Sequence, residues 1–167
     1  MSSDVEKAML LAAGRFHRAM EVIQAEACKP GSESLLIPSG VNAALALEIL
    51  LKCLYQIDTG QQPEKTHDLS KIFDGLREET RQSLEVAFVE RLRQRDMSDV
   101  TAIERESGVT IPQDIRENLR QAGRTFIDLR YIYQPSGNAA SLVFYPELAA
   151  VVLEQIFRLR PDLKTIV

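Results

Sequence analysis

Glu48, Lys52, His67 and Asp68 have side chains suited to proton transfer, phosphate binding or a buried ion-pair network. Glu48 and Lys52 are four residues apart, so on a helix they share a face. Around them Val41, Leu45, Leu47, Ile49, Leu50, Leu51, Leu54 and Ile57 make a run apolar almost all round, and Gln56 extends the polar stripe. A charge on such a helix is costly unless it is paired and hydrogen-bonded. Two uses follow. In one, Glu48 meets Lys52 or Arg130 and the network fixes helix register. In the other, Lys52 and Arg130 are cationic anchors in a polar pocket for a phosphate. Thr66, His67 and Asp68 open a short predicted helix, with Thr66 as cap and Asp68 at the positive end of the dipole. An imidazole there titrates near neutral pH and suits general acid–base chemistry.

Other clusters are less specific. Arg116, Arg120 and Arg124 form a row at i, i+4, i+8, and Arg91, Arg93 and Arg95 form a second group. Both read as solvated faces with acidic neighbours or as contacts for phosphate or an acidic partner. His17 reads as a boundary histidine. Cys28 and Cys53 are too few for a disulfide framework and read as two reduced, buried thiols in a cytoplasmic protein. No GxGxxG, GxxxxGK[ST], CxxC, HExxH or GxSxG occurs, and the chain has only two histidines. No metal site and no cofactor is expected.

The elements that must position these residues are helical. The 167 residues are 45% hydrophobic and 26% charged, which suits a single domain over 1–167. A net charge of -4 argues against coating nucleic acid through bulk positive charge. The spacing of Val5, Met9, Ala12, Phe16, Met20, Ile23 and Ala27 predicts an amphipathic helix over roughly 3–28. Ser39 is a cap for a second helix running to Gly60. Further helices are expected over 67–75 and 78–95. Thr110-Ile-Pro-Gln reads as a capping box for a helix ending near Gln134-Pro135, and Pro146 opens a last one. Asp96–Gly108 is a loop or a short helix, and Ser141–Tyr145 is at best extended. The run Val41–Ile57 reads as too interrupted and too short to span a bilayer, so no membrane partner is expected. The fold class is all-α, an up-and-down bundle of four to five main helices.

The blocks Glu48-Ile-Leu-Leu-Lys52, His67-Asp68-Leu69 and Arg130-Tyr131-Ile-Tyr133, in this order over roughly residues 40–135, resemble the HEPN superfamily of small helical bundles. The last helix matches in kind only. The resemblance implies a bundle that dimerises. Many members are metal-independent endoribonucleases whose site pairs an Arg with a His after four to six intervening residues, two protomers bringing two such motifs together. Arg130 sits where the family's Arg would sit, but residues 135–137 are Pro, Ser and Gly, and no histidine follows His67. The implied function is a non-catalytic dimeric module that binds a partner protein, a nucleotide or RNA, as in toxin–antitoxin or defence settings. The alternative is a divergent metal-independent endoribonuclease using Arg130 with His67 or tyrosine hydroxyls. Lys52, Arg120, Arg124, Arg130 and Tyr131 are the expected ligand-binding residues. Glu48, Lys52 and Asp68 are the expected polar network. By helical phase Ile127 and Tyr131 point away from the core stripe of Ile115, Leu119, Ala122, Phe126, Leu129 and Tyr133, as a dimer surface would.

Overall fold

The structure, a computed structural model, describes residues 2–130 and 142–166, and among them the side chains of 4–125 and 142–166. The described residues form α1 (Ser2–Ala27), α2 (Leu36–Thr59), α3 (Leu69–Asp74), α4 (Glu78–Gln94), α5 (Ser98–Ser107), α6 (Ile115–Arg130) and α7 (Tyr145–Leu159), with two short 3-10 turns and no strand. The fold is all-α. α3 and α5 are short additions to a bundle of longer helices. α2 is its centre: it packs on α1, α3, α6 and α7, and Leu47, Leu51 and Leu54 are fully buried. α1 runs antiparallel to α2, since the Cys53 thiol lies on the Glu6 carbonyl while Ser39 donates to the Met20 carbonyl.

Several helix starts differ from the local sequence signals. α2 begins at Leu36, placing Pro38 in its first turn and Ser39 inside the helix rather than at its cap. The expected stop holds, with Gly60 in the left-handed region at φ 74°. α3 is capped by Asp68, not Thr66: the Asp68 carboxylate accepts from the Lys71 amide at 3.3 Å and from the Ser70 hydroxyl at 2.6 Å. Thr66 accepts from the Asp68 amide one step earlier. The Thr110 box does not form. α6 starts at Ile115, Asp114 accepts from the Glu117 amide at 2.8 Å, and the Asn118 side chain holds the Pro112 carbonyl at 2.6 Å. A carboxylate one residue before the helix outcompetes a hydroxyl five residues before it. The ambiguous stretch 96–108 contains α5, closed by Gly108 at φ 69°. Residues 142–144 form a turn into α7 rather than an extended segment, with Pro146 in the first turn as expected. The end expected for α6 near Gln134-Pro135 lies outside the described residues.

The expected stripe of α1 is buried at Met20 and Ala27, but near the start of the helix the core face is shifted from it. Leu10 and Ala13 lie in the core and Val5 is exposed, while Glu6 is buried. Arg160, beyond α7, pairs with Glu6 and compensates that burial. The helical stretch Glu33–Thr59 is long and apolar enough to cross a membrane, contrary to the expectation from its interruptions. Its hydropathy matches its place as the packed centre of the bundle.

α6 approaches the segment before α3 unusually closely. A Cβ built at Gly123 would lie 2.4 Å from the His67 carbonyl oxygen and 2.9 Å from the Leu69 amide nitrogen. Both are backbone atoms and cannot rotate away. Gly123→Ala is expected to destabilise the protein by about 1–3 kcal/mol in urea unfolding. Gly14→Ala, at a helical position with open space around it, is the control. It is expected to stabilise by about 0.5–1 kcal/mol.

Candidate functional site

The site grows from the carboxylate on the central helix. Glu48 is 7% exposed, surrounded by the leucines and alanines of α2. Its Oε1 accepts from Lys52 Nζ at 2.6 Å, one turn along the same helix. Its Oε2 meets His67 Nδ1 at 2.9 Å, from the loop that precedes α3. Of the two partners expected for Glu48, Lys52 is present and bonded. Arg130 is the last described residue of α6, and its side chain lies outside the described residues. His67 is the partner that the sequence pattern did not indicate. A carboxylate oxygen accepts, so Nδ1 is the donor in this bond.

The three side chains differ in access. The Lys52 side chain is 19% exposed, that of Glu48 9% and that of His67 70%. An exposed imidazole thus stands on a buried, doubly held carboxylate. The Thr66 and Asp68 bonds order the backbone on either side of His67, and the contact at Gly123 presses α6 against its carbonyl. That contact also brings the α6 positions around 120–124 alongside the His67 segment. Asp68, expected in the polar network with Glu48 and Lys52, instead caps α3. The Ser70 hydroxyl bonded to it holds its carboxyl below the usual carboxylate range.

The cations divide into two groups. Lys52 is engaged by Glu48. Arg116 makes a bidentate bond to Asp74 at 2.8 and 2.6 Å, and Arg120 makes one to Glu117 at 2.7 and 2.5 Å. The second bond, led by the Arg120 guanidinium, pulls Glu117 down to about 2. In the other group Lys65, Lys71 and Arg124 are exposed, and no carboxylate is within ion-pair distance of them among the described residues. Of the expected ligand-binding residues, Arg124 is exposed and has no ion pair among the described residues, while Lys52 and Arg120 are held by acidic neighbours. Tyr131 lies outside the described residues.

The second arginine group is not a uniform solvated face. Arg91 pairs with Glu154 and Arg93 with Glu90. Arg95 is largely buried, lies 5.3 Å over the Phe144 ring, and bonds to Glu147 at 2.7 Å and to Asp99. It borders a cleft of about 660 Å³ walled by Met20, Leu36, Ile37, Ile103 and Val143. His17 bonds the Tyr145 hydroxyl at 2.8 Å and stacks on its ring, a boundary role. Cys28 and Cys53 are both free thiols. Cys28 is exposed, whereas burial pushes Cys53 up to about 12. Among the described residues no group of three or more His, Cys, Asp or Glu side chains could hold a metal ion.

Comparisons with protein-family models, with curated proteins and with solved structures find no match.

Truncating the buried carboxylate leaves Lys52 in a mostly apolar setting without its acceptor. Glu48→Ala is expected to cost about 3–5 kcal/mol in denaturant unfolding. A cost below about 0.5 kcal/mol would contradict the burial and pairing of Glu48.

Proposed function

We propose that this chain is a HEPN-like helical module that dimerises and binds RNA on the surface around His67. The observation that carries the reading is the close approach at Gly123, which sets α6 and its exposed Arg124 beside the segment holding His67, Lys65 and Lys71. These cations are the ones left to meet phosphate, since Lys52, Arg116 and Arg120 are committed to carboxylates. An exposed imidazole among them adds a stacking surface for an unpaired base. The surrounding acidic residues suit a local, salt-sensitive contact rather than broad electrostatic attraction. A nucleotide or a partner protein on the same surface is the competing outcome.

Fluorescence anisotropy with labelled single-stranded RNA separates these outcomes. Wild type is expected to bind, with affinity falling as salt rises. The triple variant Lys65→Glu, Lys71→Glu, Arg124→Glu is expected to lose at least tenfold and to show a shallower salt slope. Absence of RNA binding by folded wild type at low salt overturns the reading.

The dimer rests on the sequence pattern alone, in which Ile127 and Tyr131 are four residues apart and out of phase with the apolar stripe of Ile115, Leu119 and Ala122. A tyrosine and an aliphatic side chain together on an outer face suit a partner surface. Sedimentation equilibrium at tens of micromolar is expected to give twice 18.8 kDa for wild type and a shift to monomer for Tyr131→Glu. An 18.8 kDa wild type, or an undiminished dimer in the variant, contradicts the proposal.

A further inference from the structure

A hollow of about 250 Å³ opens beside the His67 segment, between the end of α2, the loop that follows it and α3. Tyr55, Pro63, Glu64, Thr66, Lys71 and Ile72 surround it. It is smaller than the about 300–1,000 Å³ of pockets that enclose a drug-sized ligand, and it suits a single planar ring system. We propose that it takes one unpaired guanine base of the bound strand, with Glu64 as the residue that selects guanine. This rests on the RNA-binding reading and names the kind of strand the surface prefers.

The walls supply affinity without choice. The Tyr55 ring is half-buried, Pro63 is half-buried and Ile72 is buried. Gly75, at the edge of the same hollow, gives the ring its room: a Cβ there would lie 2.7 Å from a Tyr55 ring carbon. A base stacks on an aromatic wall whatever its identity, because every base has a π-face.

The rim supplies the choice. Glu64 is exposed, and its carboxylate has no hydrogen-bond or ion-pair partner among the described residues. In this it differs from Glu48, Asp68, Asp74 and Glu117, each of which holds a neighbour. A carboxylate offers two acceptor oxygens and no donor. Guanine alone among the RNA bases presents two adjacent donors, N1–H and N2–H, on its Watson–Crick edge, and these meet the two oxygens in parallel. Adenine and cytosine place a ring acceptor beside the amino group, and uracil flanks N3–H with two carbonyls. Each of the three sets a lone pair against a carboxylate oxygen. Lys71 is exposed, and no carboxylate is within ion-pair distance of it among the described residues. Its ammonium has three donors, so it can serve the guanine O6 and the adjoining phosphate together.

The rim is also ordered. The Thr66 amide donates to the Glu64 carbonyl at 2.9 Å, and the Thr66 hydroxyl oxygen accepts from the Asp68 amide at 3.0 Å. The backbone that carries Glu64 is thereby tied to the start of α3, whose Lys71 and Ile72 form the neighbouring wall. A reading group must be held relative to the surface on which the base stacks, and these two bonds do that.

The experiment is fluorescence anisotropy of the full chain with labelled oligouridine carrying one central guanine, adenine, cytosine or inosine. Wild type is expected to bind the guanine strand about 5–150-fold more tightly than the adenine or cytosine strand. Inosine lacks the 2-amino donor and is expected to bind about fivefold more weakly than guanine. Glu64→Gln, at an exposed position, replaces one acceptor with a donor and is expected to abolish the preference for guanine. Tyr55→Leu keeps an apolar side chain against Gly75 and, once shown to be folded by circular dichroism, is expected to weaken the guanine strand by about tenfold. Equal affinity of wild type for the guanine and adenine strands overturns the guanine pocket and leaves the binding reading intact. A preference that survives Glu64→Gln, or inosine bound as tightly as guanine, overturns recognition by the carboxylate. No binding of any strand by folded wild type at low salt overturns both readings.

Discussion

A carboxylate on the most buried helix of the bundle must find its counter-charges where it lies. Glu48 meets that constraint with an ammonium from its own helix and an imidazole from the next loop. The ammonium fixes nothing beyond α2. The imidazole ties the loop before α3 to the centre of the bundle. Once His67 is placed, its carbonyl becomes the surface on which α6 rests, and only a glycine at 123 permits that approach. A local electrostatic requirement thus sets the position of two further helices. The same bonds leave the imidazole facing solvent on a rigid support.

A second buried carboxylate does similar work at the other end of α2. Asp58 accepts from the Arg77 amide at 2.7 Å and from the Thr80 hydroxyl at 2.6 Å. It therefore caps α4 from another helix, in place of the side chain that would ordinarily stand at position 77. Tyr55, one turn earlier, lies against Gly75, where a Cβ would meet its ring at 2.7 Å. Central helix α2 thus supplies apolar contacts along its length and also the polar groups that locate α3 and α4.

Much of this was legible in the sequence, and what was not has a common physical reason. Val41, Leu45, Leu47, Ile49, Leu50, Leu54 and Ile57, spread nearly all round α2, marked it as central, and Glu48 among them marked a carboxylate in need of a partner. Lys52 was readable because helical spacing alone brings it close. His67 was not, because its approach depends on how a loop folds back over 19 residues. Asp58 and Glu6 were missed for the same reason: each is buried against a group that only the tertiary fold delivers. At the start of α1 the inner face therefore carries Glu6, Leu10 and Ala13 beside the stripe that apolar spacing indicated, whose Met20 and Ala27 are buried further along. At α3 and α6 the caps read from the sequence were hydroxyls, Thr66 and Thr110. The nearer carboxylates, Asp68 and Asp114, took the cap from Thr66 and Thr110.

The separations of these polar contacts along the chain also order the route by which the fold closes. Glu48–His67 and Asp58–Arg77 each join residues 19 apart, so their loops are short. Glu6 and Arg160 are 154 apart and join the first helix to the segment beyond the last. In a flexible chain, closing the longer loop costs about 2 kcal/mol more in entropy. Contacts of low sequence separation form early in helical proteins. The centre of α2 with its two neighbouring loops can therefore organise as one local unit, and the clasp between the two ends of the chain is the last to gain and the first to lose its partner.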